Sequence, residues 1–316
     1  MRHSNTNSSD FCAFWIFTHQ ITNFFAEHIR ISAHVDIYYV YVLYYACVVK
    51  QGDRFLMRKL FRFNVTKDTG IAAVAGIVMI ALSLLMIPFG GDSVRDTVIS
   101  FILRDVLMIF GLGVVFVSLY VEKKGTGVLA ELGFTKRKWI LSLILNIVFA
   151  AGLLFVFLKD EVPENVISLK NLYGATYILV AGIFEMVFIY GFLRMSFEKA
   201  FGIIPSILLT STFYSLHHAG FQPEFLHLFL VGLMYCSVFY ITKNMLIIFP
   251  FFWGVGALWD VLVSSEAGDE IRNPFSFVIA LIILIASAAW VLIRKWRNGS
   301  NVVKNIDSNL GNAQER

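Results

Sequence analysis

The sequence predicts an all-α protein, a polytopic transmembrane helical bundle of about eight or nine spanning helices. Three observations predict it. Of the 316 residues, 58% are hydrophobic and only 15% charged, against about 45–50% and about 25% in soluble domains, and the mean hydropathy is +0.71. Apolar runs near the length of a spanning helix, about 20 residues, recur along the chain. Lys and Arg concentrate in alternate loops between those runs.

The runs lie at 71–89, 98–121, 139–158, 173–193, 202–217, 224–241, 245–263 and 275–293. A shorter, tyrosine-rich stretch at 33–49 is a ninth candidate. Lipid offers backbone groups no hydrogen bonds, so segments of this length must span as helices. Residues 1–32 read as an N-terminal segment, with 11–25 resembling an interfacial helix. No basic region there leads into a clean apolar run with a small-residue cleavage site, so a signal peptide is not expected. The bundle occupies 33–297, and 298–316 is a polar tail whose composition points to disorder.

Charge sets direction. Loops 50–70 and 122–138, the short loop with Arg194 and Lys199, the next with Lys243, and the tail from Arg294 hold 19 of the 26 Lys and Arg residues. The intervening loops are mainly acidic. By the positive-inside rule, loop 50–70 and the C-terminus are cytoplasmic. The net charge of +4 is therefore a topology signal, and no groove-reading motif points to nucleic acid. Cys12, Cys47 and Cys236 are scattered, with no CxxC, so neither a disulfide frame nor a zinc knuckle is indicated.

Ionisable residues within the spans are the pointers to function, since each costs at least about 2.5–3.5 kcal/mol at the bilayer centre. Arg104 and Asp105 read as boundary residues, the arginine snorkelling outward. Glu185 lies about twelve residues into its span, roughly 18 Å deep. His217 and Asp260 lie in the outer halves of theirs, one or two turns shallower than Glu185. His218 adjoins the first, and His227 opens the seventh span. Two carboxylates with one to three histidines suit a divalent ion such as zinc, or a metal-free site with a Glu base on water.

The stretches FEMVFIYGFLRMSF (184–197), FYSLHH (213–218) and GVGALWD (254–260) resemble the motifs of the CPBP intramembrane protease family, with ELGFTKRKWILSLI (131–144) as lead-in. That family includes the type II CAAX prenyl endopeptidases and Abi-type bacteriocin-processing proteins. The resemblance spans about 130–263, with its core at about 170–263. It implies an integral membrane metallo-endopeptidase that cleaves membrane-associated or lipidated peptides with Glu/His-activated water. Glu185 takes the place of the family's first glutamate, Gly191 that of its glycine, Phe213 and His217 that of FxxxH, and Asp260 that of the final Asn or Asp. Catalysis would fall to Glu185, His217 and Asp260. The same three residues would hold zinc, with His218 or His227 as a further ligand.

Three positions depart. Met186 replaces a second glutamate, Tyr190 an arginine and Gly256 a second histidine. Positions 186 and 190 share a helix face, so losing both charges together leaves a packable pair. At 256 the resemblance would place a group that binds the metal or stabilises the oxyanion, and glycine supplies neither. These departures also fit a catalytically impaired relative acting as a membrane binding or immunity protein. Intramembrane carboxylates alone fit a small-solute transporter.

Overall fold

The computed structural model describes residues 59–91, 93–158, 167–220, 222, 224–259 and 271–314. The candidate segments 11–25 and 33–49, and Asp260, lie outside them. Among the described residues the regular structure is helical. The elements are α1 (Lys67–Leu84), α2 (Val94–Lys124), α3 (Val128–Leu132), α4 (Trp139–Phe157), α5 (Leu169–Phe201), α6 (Ile203–His217), α7 (Phe225–Thr242), α8 (Met245–Trp259) and α9 (Pro274–Gln314).

Side-chain caps start several of these helices. Thr66 and Thr69 form a reciprocal capping box at α1, and Ser93 and Ser168 accept from Asp96 N–H and Asn171 N–H at α2 and α5. Each cap satisfies a donor that the first helical turn leaves without a partner. α9 runs on through the polar stretch to Gln314, where composition pointed to disorder. Extending an anchored helix adds one hydrogen bond per residue without a new nucleation step.

Among the described residues six helices are long and apolar enough to cross a bilayer: α1 with the turn to Phe89, α2, α4, α5, α7 and α9 to Arg297. The expectation of eight or nine is not confirmed: two further candidates among the described residues are shorter helices. The run 202–217 folds as the 15-residue α6, and 245–259, the described part of 245–263, is helical as α8. Fifteen residues extend about 22 Å, short of the roughly 30 Å hydrocarbon core. Hydropathy reports apolarity, and a helix can end inside the bundle without changing it.

α5 is the central helix: 67% of its most apolar window is buried, against 22% for α2 and α9. Phe184, Phe188 and Phe192 stack along one side of it, and Phe116 and Tyr120 of α2 meet Phe192 edge-on. The outer helices turn apolar residues outward. On α4, Ile140, Ile144 and Val148 are exposed while Ser142 and Asn146 are fully buried, with Asn146 Nδ2 donating to Ser142 O at 2.8 Å. α6 and α7 approach closely where Gly232 lies against Ser211, as small residues allow between membrane helices.

The basic loops meet at one end of the bundle. Lys124 pairs with Asp68 at 2.7 Å, Lys199 with Glu131, Arg194 with Glu198 and Arg294 with Glu122. Arg194 is buried because its guanidinium also donates to Tyr190 O and Glu131 O and lies over the Phe239 ring. That lets α5 continue through the expected loop to Phe201.

Arg104 and Asp105 are packed into the bundle, a partnership the sequence did not show. Asp105 is fully buried; it accepts from the Tyr177 hydroxyl at 2.7 Å and faces Arg104 at 3.5 Å. The polar partner on α5 makes burial of this carboxylate between helices tolerable.

Candidate active site

The α5–α6 hairpin sets the site's geometry. It turns at Gly202, whose φ of +89° is left-handed backbone open to glycine. Counting back from that turn to Glu185 and forward to His217 gives nearly equal lengths of antiparallel helix. Both residues therefore lie about 20–25 Å from the turn at the helical rise. The gap in depth expected from the sequence is closed: Glu185 Oε1 lies 3.6 Å from Nε2 of His217 and 3.6 Å from Nε2 of His218.

The end of α6 explains why two consecutive histidines point the same way. Neighbours on an α-helix normally diverge by about 100°. Here the last turn tightens, and His218 N–H donates to Ser215 O. The Tyr214 carbonyl receives both imidazoles instead, from His217 Nδ1 at 2.5 Å and His218 Nδ1 at 2.8 Å. The ring centroids are only 3.8 Å apart. A carbonyl oxygen cannot donate, so both Nδ1 atoms carry hydrogen. In the neutral rings Nε2 is then the acceptor nitrogen, and both Nε2 atoms face Glu185.

The third element is α8. Trp253 donates its indole N–H to Glu185 Oε2 at 3.1 Å. It reaches that oxygen because its ring lies against Gly182, one turn before Glu185, where a Cβ would overlap it. The backbone is π-helical at both partners, over Glu185–Leu193 and Phe249–Trp253, a local widening frequent at functional sites.

Glu185, His217 and His218 form a group whose ligand atoms all lie within 4.8 Å of one another. The donor set fits a divalent ion. Ligands about 2.1 Å from a tetrahedral centre stand about 3.4 Å apart, close to the 3.6 Å seen here. Imidazoles whose other nitrogen is anchored on a carbonyl are the usual arrangement at zinc.

Of the other expected site residues, Asp260 lies outside the described residues. His227 sits at the exposed start of α7, hydrogen-bonded to Glu224 at 2.9 Å, and is not part of the group. Met186 and Tyr190 are both buried in the core. At Gly256 the space a side chain would enter is filled by the Tyr235 hydroxyl. Sequence reasoning missed Trp253, the Tyr214 carbonyl and the tyrosines around them. Trp253 carried a signal, since an indole N–H in an apolar helix requires an acceptor.

No curated protein and no solved structure matched the chain. The six apolar helices mark an integral membrane protein. Residues 167–262, from the start of α5 past the end of α8, match the family described as type II CAAX prenyl endopeptidase Rce1-like. With Glu185, His217 and His218 gathered inside that stretch, the chain carries a domain similar to the CAAX-processing membrane peptidases, consistent with the CPBP family.

Proposed function

We propose that this protein is an intramembrane endopeptidase that cleaves membrane-associated or lipidated peptides. The observation that carries the reading is the placement of one carboxylate oxygen 3.6 Å from two imidazole nitrogens, in a stretch that matches a peptidase family. A water donating to Glu185 Oε1 and to one Nε2 would turn its oxygen lone pair outward. Glu185 takes the water's proton as the oxygen adds to the scissile carbonyl carbon. The tetrahedral adduct then collapses, the C–N bond breaks, and Glu185 returns the proton to the leaving amine. Trp253 keeps the carboxylate aimed throughout. A divalent ion held by Glu185, His217 and His218 would supply Lewis acidity to that water. Asp260 is proposed as a further polar residue of the site, in line with its motif position.

The basic end, with loop 50–70 and the C-terminus, is proposed to face the cytoplasm. The site then lies toward the opposite leaflet, at the inner end of the short helix α6.

The test uses the full chain in proteoliposomes with a fluorogenic S-farnesyl peptide carrying three residues after the modified cysteine. Wild type should cleave it, with Glu185→Gln and His217→Ala strongly impaired. Equal cleavage by all three would remove the assignment. Metal analysis of the purified protein should show zinc depleted by His217→Ala and by His218→Ala, and unaffected by His227→Ala.

A further inference from the structure

The peptidase reading leaves one chemical requirement unmet. Addition of water to a carbonyl moves the π electrons onto oxygen, and that oxyanion needs a hydrogen-bond donor aimed at it in advance. The side chains grouped around Glu185 are mostly acceptors. Both Nδ1–H groups are committed to Tyr214 O, and the Trp253 indole is committed to Glu185.

A further donor packs against Tyr214, the residue whose carbonyl holds both imidazoles. Tyr190 is 1% exposed, and among the described residues its hydroxyl has no hydrogen-bond partner. A buried polar group in that condition calls for an explanation. Its surroundings are those of the site. The Tyr190 ring packs 5.4 Å from Tyr214 and 5.9 Å from Tyr235, and Tyr214 in turn lies 4.8 Å from the His218 ring. Glu185, Tyr214 and Tyr235 are among the hydroxyl's electrostatic neighbours. Glu185 and Tyr190 are five residues apart in a π-helical stretch, whose i→i+5 bonding brings such pairs toward one face.

We propose that Tyr190 is a catalytic residue, its phenol donating to the substrate's carbonyl oxygen as negative charge develops there. This deepens the peptidase reading and rests on it for the reaction. The phenol stays protonated throughout: the water proton travels by way of Glu185 to the amine, and the Tyr190 hydrogen bond only shortens and strengthens. A buried neutral donor held by neighbouring rings needs little reorganisation when the charge appears, and the rings of Tyr214 and Tyr235 pack against it.

The test compares wild type with Tyr190→Phe on two probes, the S-farnesyl peptide and a copy whose scissile amide is a phosphinate, a tetrahedral anion. The variant should lose about 10²–10³ in kcat, the usual effect of deleting one such donor, with KM little changed. Phosphinate affinity should fall by a similar factor while affinity for a non-cleavable amide analogue holds. A hydroxyl with a purely structural role would move none of these. Incorporation of 3-fluorotyrosine at 190, which keeps the ring and lowers the phenol's pKa, guards against misfolding of the first variant; it should retain cleavage with an altered rate, and an unaltered rate would count against the proposal. Wild-type kcat in Tyr190→Phe overturns the proposal and leaves the peptidase reading standing. Tyr190-dependent phosphinate binding without any cleavage keeps the donor and overturns the peptidase reading. Absence of both cleavage and phosphinate binding overturns both.

Discussion

Asp105 and Glu185 are both carboxylates held inside the bundle, and their housing differs. Asp105 is fully buried, with the Tyr177 hydroxyl 2.7 Å from one oxygen and Arg104 3.5 Å from the other. The Arg104 guanidinium also lies over the Tyr177 ring at 5.1 Å. Glu185 keeps a side-chain exposure of 14% and faces two imidazole nitrogens at 3.6 Å, beyond hydrogen-bond distance. Among the described residues Oε2 has a close donor in Trp253. The Asp105 carboxylate ties α2 to α5 and has a donor at each oxygen, one of them a cation. A carboxylate ringed by acceptors is positioned for something that donates to or binds all of them at once, which is what a nucleophilic water or a metal ion does.

Four substitutions test that contrast. The largest effect is expected at Glu185→Gln. It should lower kcat by about 10²–10⁴, the range for a general base, with little change in unfolding by SDS titration. Asp105→Ala should do the reverse. Removing the acceptor of a charge-assisted hydrogen bond costs about 1.5–3 kcal/mol, so unfolding should shift by that amount while kcat per folded molecule holds. Were Asp105→Ala to abolish cleavage in folded protein, the division between the two carboxylates would fail.

Gly182→Ala probes the support behind Glu185. The added methyl overlaps the Trp253 ring, and overpacking costs about 1–3 kcal/mol. Displacing Trp253 releases Glu185 Oε2, so both stability and kcat should fall. A drop in stability alone would separate Trp253 from the chemistry.

Lys243, outside both sites, gives the smallest effect. It follows α7 in left-handed backbone with its ammonium 3.3 Å from the Tyr240 ring centroid. Burial pushes its pKa down to about 8, with Glu198 opposing and Arg194 adding to the shift. Below about 8 both folded and unfolded chains hold the proton, and the cost of burying the charge is felt in full. Between about 8 and the ordinary 10.5 the unfolded chain binds a proton the folded chain lacks, so stability rises with pH across that window. Lys243→Met should flatten that rise, by on the order of 1 kcal/mol, in unfolding measured from pH 7.5 to 10.5. Kinetics measured at one fixed pH should not change.

The apolar helices were legible because hydropathy is a local sum. The same sum gave α6 as a span although the helix is only 15 residues long, since hydropathy does not report where a helix ends. Glu185 and His217 were legible as costly residues in lipid, and their motifs placed them together. The choice between His218 and His227 was open in the sequence, and the tightened last turn of α6 decides which of them joins the group. Trp253 went unseen because an apolar helix hides its polar atoms among aromatic rings, and Tyr190 was read only as the replacement of a motif arginine.

What the sequence determined by itself was membrane integration, the gathering of Lys and Arg in alternate loops, and the presence of a few ionisable groups too costly to be incidental. Each follows from the transfer free energy of residues taken one segment at a time. Only the tertiary structure decided that Asp105 is neutralised by Tyr177 and Arg104, and that Glu185 meets two histidines and one indole. Those meetings depend on where the Gly202 turn sets the register of α5 against α6, where α6 stops, and how closely Gly182 lets α8 approach. They are properties of contacts between helices, and no single segment contains them.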